Sequence, residues 1–347
     1  MQANRSPENP IIKPADVPAS KENFKVVGVF NAGVTRAAGE VVLLLRVAEM
    51  PISEDPNIVL AALYDEKKGR IVLREFSKKD KANDFTDPRL IIRGRETYLT
   101  SISYFRVARS RDGILFELDD NISFGAGMDY ESFGIEDPRI AFIEGVYYIS
   151  YVAVSANGIV TALAATEDFR SFERKGIIFC PDNKDVVIFP ESVGGEYYAL
   201  HRPVSSLFSR QDMWISRSPD LVSWGEHRRL MGVREGFWDE MKIGAGAVPV
   251  KTKKGWLEVY HGADQQNRYC LGAVLLDSNR PWKVKARSNE PILKPEADYE
   301  MEGFFGDVVF SCGLLYEQEK LKIYYGASDT SICYAEIGVE EVFENLK

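Results

Sequence analysis

The sequence predicts an all-β fold, a five-bladed β-propeller with a short C-terminal helix, on three observations: serial short strands, a spaced repeat, and polar residues at matched hairpin ends. The strands come first. Runs such as VVLLLRV, NIVLAALY, GVYYISYVAV, GIVTALAA, GWLEVYHG and LKIYYGA are divided by Gly, Asn, Asp and Pro turns, and long helical periodicity is lacking. Only residues 339–347 read as helical, and residues 1–21 read as a polar extension. The whole chain, 1–347, is expected to form one domain, since all-β folds of this size often do.

The repeat is Ser/Thr-x-Asp-x-x-x-aromatic. It occurs as Ser110-Asp112-Phe116, Thr166-Asp168-Phe172 and Ser218-Asp220-Trp224, with the aspartates 56 and 52 residues apart. Such a period suits a four-stranded propeller blade.

The hairpin ends carry the candidate chemistry. Asn31 and Arg46, Lys184 and Arg202, Lys242 and His261, and Asp307 and Tyr325 bracket four hairpins at separations of 15, 18, 19 and 18 residues, while Asp137 opens a fifth. The first residue of one antiparallel strand and the last residue of the next meet at the same end of the ladder. Five hairpins around one axis would therefore bring all nine groups into one cleft. Lys184, Arg202, Lys242 and His261 there favour a small dianion such as phosphate. A carboxylate beside such a site suggests glycosyl transfer to phosphate, an anionic nucleophile that needs no base.

Composition narrows the alternatives. A formal charge of -9 argues against nucleic acid as the main partner. No apolar run is long enough for a membrane span or a secretion signal, so a cytoplasmic protein is expected. Cys180, Cys270, Cys312 and Cys333 lack metal or redox spacing; buried free thiols are expected, with no metal and no cofactor, phosphate being a co-substrate. His227 reads as a surface histidine. Glu136, Arg139 and Glu191 read equally as functional groups or as loop-orienting ion pairs. Tyr104, Phe105, Arg106 and Asp112 are expected in a segment overhanging the cleft, on the acceptor side.

The segments GIEDPRI (134–140), NKDVVIFPE (183–191), ALHRP (199–203), KIGAGAVP (242–249), VYHGAD (259–264), GDVVFSCG (306–313) and YYGASD (324–329) resemble the signature run of glycoside hydrolase family 130. The resemblance covers roughly residues 31–329. It implies a five-bladed propeller and an inverting β-mannoside phosphorylase, with Asp137 as general acid acting through the mannose 3-hydroxyl. Phosphate ligands then fall on Lys184, Arg202, Lys242 and His261. Sugar contacts fall on Asn31, Arg46 and Asp307, with Arg106 and Tyr325 as further substrate-binding candidates. Lys184 stands where some relatives have arginine, and the intact cationic set favours phosphorolysis over the family's hydrolytic branch. The segment TYLTSISYFRVARSRDG, together with the absence of a longer N-terminal extension, resembles the β-1,2-acting branch more than the β-1,4-acting one. A β-manno-oligosaccharide and phosphate are the expected partners. Members are often oligomers, so a homo-oligomer is expected too. A β-mannosyltransferase and a non-catalytic mannoside-binding propeller remain as alternatives.

Overall fold

The computed structural model describes residues 2–119, 123–204 and 210–347. Its strands form five large antiparallel sheets in chain order. The first contains Phe24–Ala37, Glu40–Pro51, Ile102–Ser110 and Glu117–Leu118. The second contains Ile135–Ile143, Val146–Ser155, Gly158–Thr166 and Glu173–Phe179. Asn183–Ile188, Tyr197–Pro203, Met213–Ser218 and Gly225–Met231 make the third. Lys242–Ala245, Gly255–Ala263, Tyr269–Leu276 and Val284–Arg287 make the fourth, with Val250–Thr252 paired alongside. The fifth joins Val309–Glu317, Lys320–Ala327 and Ser331–Gly338 to Asn4–Arg5 from the other end of the chain.

The opening strands of the first four sheets contact one another in succession, Tyr269–Leu276 of the fourth contacts Val309–Glu317 of the fifth, and Val309–Glu317 packs against Phe24–Ala37 of the first. The apolar faces between sheets are the core. Leu257, Leu271, Ile323 and Ala335 fill the space between the fourth and fifth, and Val42, Phe105, Ile149 and Ala162 that between the first and second. Strand alternation aims these residues inward.

The repeat has a structural cause. After the third strand of the first, second and third sheets, Asp112, Asp168 and Asp220 each accept two backbone N–H groups through one carboxylate oxygen, at 2.7–3.1 Å. Short polar side chains commonly build such turns. A divergent fourth copy stands at Asp277, which receives Asn279 and Arg280 N–H.

Several expectations need correction. The first residues are not a free extension: Asn4 and Arg5 pair with Glu336 and Ala335, and the Arg5 side chain reaches Glu300. The overhanging segment is residues 52–101, which form the hairpin Ile58–Asp65/Arg70–Ser77 and a small sheet of Asn83–Asp84, Leu90–Arg93 and Glu96–Leu99. Tyr104, Phe105 and Arg106 lie instead in the third strand of the first sheet, all buried. Cys180, just past a strand end, is exposed, whereas Cys270, Cys312 and Cys333 are buried. His227 is exposed. Val339–Asn345 is helical, as expected, and a second single-turn helix, Asp298–Met301, precedes the fifth sheet. No helix among the described residues is long and apolar enough to cross a membrane.

Candidate active site

A cleft of about 330 Å³ opens where the first strands of the sheets meet. Asn31, Arg46, Asp137, Lys184, Arg202 and His261 all line it. Its construction depends on bulges. The ladders slip between Phe30 and Gly33, Glu136 and Arg139, and Lys184 and Val187. Inside each slip one residue, Asn31, Asp137 or Asp185, adopts a positive φ of 50, 51 or 55°. A bulge inserts an extra residue and re-aims its side chain. Left-handed backbone at a non-glycine residue is costly and concentrates at functional sites. The same device has thus been used in three consecutive sheets to turn a polar side chain toward one place.

Asp137 is held on one oxygen. Its Oδ1 accepts from Asn31 Nδ2 at 3.0 Å and Arg46 Nη1 at 2.8 Å. Arg46 Nη2 also pairs with Glu136 at 2.8 Å, and its guanidinium lies 4.5 Å from the centre of the Phe30 ring. Burial pushes the Asp137 carboxyl up, but Arg46, Arg139 and the bond from Asn31 outweigh it and hold the group below the usual carboxylate range. Asp329 lines the same end of the cleft. Burial raises its pKa to about 6, with repulsion from Asp137 and Glu136 adding to the rise and Arg46 and Arg89 opposing it.

The third and fourth sheets supply the cationic end. Lys184 pairs directly opposite Arg202. Between the strands sits Asp185, only 2% exposed, with Arg202 Nε at 2.7 Å, Arg139 Nη2 at 3.2 Å and His261 Nε2 at 3.3 Å. Burial disfavours the Asp185 charge, but Arg202, His261 and Arg139 hold it well below the usual range. His261 is fully buried beside the Phe310 ring, and neither ring nitrogen has an aligned hydrogen-bond partner among the described residues. Burial lowers its pKa. Lys242 reaches the cleft indirectly: its Nζ donates to the Tyr269 hydroxyl at 2.6 Å, and Tyr269 lines the wall. Burial, then the charge of Arg202, lowers the Lys242 pKa.

Two residues expected in the cleft are elsewhere. Tyr325 is fully buried in the core between the fourth and fifth sheets, where its hydroxyl donates to Glu300 at 2.7 Å. Tyr325 pairs with Ser311, two rungs short of the Val309–Ala327 ladder end, so it never reaches the rim. Arg106 pairs with Leu45 and donates to the carbonyls of Pro18 and Asp119, while its neighbour Phe105 is the residue opposite Arg46. Asp307 stands at the margin: its carbonyl accepts from Tyr269 N–H, and the neighbouring Phe305 and Val308 line the cleft.

The structure also adds lining residues that hairpin spacing missed, among them Asp185, Tyr269, Asp329 and Arg89. Asp185 follows Lys184 in the NKDVVIFPE segment and Asp329 closes the YYGASD segment, but neither stands at a matched hairpin end. Glu136 and Arg139 form ion pairs with Arg46 and Asp185, and Glu191 pairs with Lys251 on the surface.

On this all-β scaffold the cleft sets arginine-bound carboxylates against a basic wall. Residues 101–347 match the family model for beta-1,4-mannooligosaccharide phosphorylase, and the chain belongs to glycoside hydrolase family 130. It is 48% identical to the Beta-1,2-mannobiose phosphorylase of Listeria innocua over 351 aligned positions, covering 100% of this chain and 99% of the relative. It is 38% identical to the 1,2-beta-oligomannan phosphorylase of Thermoanaerobacter sp., over 71% of this chain and 81% of that one. The solved structure of the Listeria innocua enzyme in complex with beta-1,2-mannobiose superposes with a TM-score of 0.96, covering 99% of both chains.

Proposed function

We propose that the chain is an inverting glycoside phosphorylase. It cleaves a non-reducing-end β-mannosyl linkage, β-1,2 in preference to β-1,4, with inorganic phosphate, and releases α-mannose 1-phosphate. The observation that carries this reading is the two-ended charge of the cleft. Asp137 is fixed by Arg46 and Asn31 at the end built by the first two sheets, and Lys184, Arg202 and His261 line the end built by the third and fourth. The β-1,2 preference rests on likeness to relatives named for that linkage over nearly the whole chain.

In this reading the five sheets are the five blades of a propeller forming a single domain, and the cleft lies on its axis. Mannose lies against Asn31, Arg46, Asp137 and Asp329. Hydrogen phosphate lies against Lys184, Arg202 and His261, with Lys242 acting through Tyr269 or directly once phosphate displaces that contact. A phosphate oxygen attacks C1 as the C1–O bond to the leaving sugar breaks. The leaving oxygen gains the proton supplied from Asp137, and the proton carried in by hydrogen phosphate restores the acid. No cofactor enters the balance. One displacement inverts the anomeric carbon.

Hydrolysis is disfavoured for a specific reason. An inverting hydrolase needs a carboxylate base for water. The carboxylate at the cationic end, Asp185, is committed to two arginines and His261 and is held well below the usual range, which makes it a poor base.

Incubation with β-1,2- and β-1,4-mannobiose, with and without phosphate, followed by proton NMR of the first product, tests the reading. Early α-mannose 1-phosphate, formed only with phosphate, is expected. Free mannose without phosphate would make the protein a hydrolase, binding without turnover a lectin, and an initial β-phosphate would sink the single displacement.

A further inference from the structure

The cleft has a rim as well as a floor, and the rim is built from different material. The floor residues are buried or half-buried and come from the first two strands of the sheets, whereas Arg89, from the segment inserted into the first sheet, faces Phe304 and Phe305 from the approach to the fifth. Arg89 is anchored. Its backbone N–H and its Nε reach Asp87 Oδ1 at 2.9 and 3.0 Å, its Nη2 reaches Oδ2 at 2.7 Å, and its carbonyl accepts from Thr100 N–H. The guanidinium lies 5.1 Å from the centre of the Phe305 ring, so the inserted segment and the fifth sheet meet across the mouth.

The charge state of this contact points to its ligand. Asp87 takes two sides of the Arg89 fork and neutralises it, leaving Nη1 without a partner among the described residues. A neutralised fork is a weak site for a dianion. A planar donor beside aromatic faces instead suits a neutral sugar, whose hydroxyls accept hydrogen bonds and whose C–H face packs on a ring. The position fits as well: mannose and phosphate occupy the floor in the proposed reaction, and the leaving sugar must extend toward the mouth.

We infer that Arg89, oriented by Asp87 and seated on Phe305, is a specificity residue that holds the leaving sugar, and in the synthetic direction the acceptor, of the reaction proposed above. The inference rests on that reaction. Synthesis from α-mannose 1-phosphate and mannose separates the two sugars, because donor and acceptor have their own KM. Arg89→Gln is expected to raise the acceptor KM about 10-fold while leaving the donor KM within about two-fold and the melting temperature unchanged. Phe305→Ala should act in the same direction. Arg89→Lys should not rescue, since an ammonium loses the planar fork. Equal rises in both KM values, or a rise confined to the donor or to phosphate, would overturn the role of Arg89. Absence of any synthesis by the unaltered protein would instead overturn the phosphorylase reading, and the inference with it.

Discussion

At the scale of single residues, the chemistry turns on where one proton sits. A general acid must hold a proton, yet Arg46 and Asn31 pull the Asp137 carboxyl down. Asp329, nearby, is pushed up to about 6 by burial. Asp137 and Asp329 repel one another, and two coupled carboxylates release protons in steps that belong to the pair. Asp137→Asn keeps the bonding shape but removes the acid, and turnover should fall about 10²–10⁴-fold with the melting temperature little changed; normal turnover would remove Asp137 from the mechanism. Asp329 makes a separate prediction about stability. Its folded pKa, about 6, lies above the ordinary aspartate value of 3.8. The stability it contributes is therefore present below about 3.8 and lost as pH rises through about 6, because the unfolded chain gives up its proton first. Asp329→Asn removes that dependence. In denaturant titrations the variant should gain about 1–3 kcal/mol over the parent at pH 8 relative to pH 4. The same difference at both pH values would mean the raised pKa is wrong.

At the scale of elements, the bulges explain what was legible and what was not. Matched hairpin ends correctly brought together Asn31, Arg46, Asp137, Lys184, Arg202 and His261, because ladder ends meet whatever their detailed register. Alternation inside a strand then fails wherever an extra residue is inserted. Asp185 would face away from Lys184 in a regular strand, but its left-handed backbone turns it beneath Arg202. Asp329 follows Ser328, and both have φ of 48°, a turn that carries the chain back to the cleft after Tyr325 has gone to the core. Arg89 lies in an inserted segment that the repeat does not describe. These bulges also need room, and two glycines provide it. A Cβ on Gly244 would stand 2.2 Å from Asp185 Oδ2 and 2.6 Å from the His261 ring, and one on Gly326 would stand 2.3 Å from Asn31 Oδ1. Each alanine substitution should cost about 1–3 kcal/mol as overpacking, but with opposite kinetic signatures. Gly244→Ala should raise the KM for phosphate more than that for mannoside, and Gly326→Ala the reverse. Indistinguishable kinetic changes would contradict the division of the cleft into two ends.

At the scale of the whole molecule, the first and last strands of the chain belong to the same sheet. Asn4–Arg5 forms its outer strand, beside Ser331–Gly338. Arg5 adds a side-chain tie: its Nε and Nη2 reach the two oxygens of Glu300 at 2.8 and 2.9 Å, and a third bond goes to the Lys294 carbonyl. Glu300 is fully buried and collects the Tyr325 hydroxyl and the N–H groups of Glu296 and Ala297 on the same carboxylate. One charged cluster thus joins the first residues, the single-turn helix and the fifth sheet. Arg5→Ala would leave that carboxylate buried without its cation. Removing one partner of a buried ion pair costs about 3–5 kcal/mol; with three other donors remaining, roughly 2–4 kcal/mol is expected, a fall in melting temperature on the order of 5 °C. Arg5, Glu300 and Tyr325 are not among the residues that line the cleft, so KM values for phosphate and mannoside should not move at 25 °C. Arg5→Ala paired with Glu300→Gln should recover part of the loss, because the buried charge is then gone as well. An Arg5→Ala protein that melts with the parent would show that the chain ends are not what holds the fifth sheet closed, and an altered KM would show that the outer strands reach the cleft.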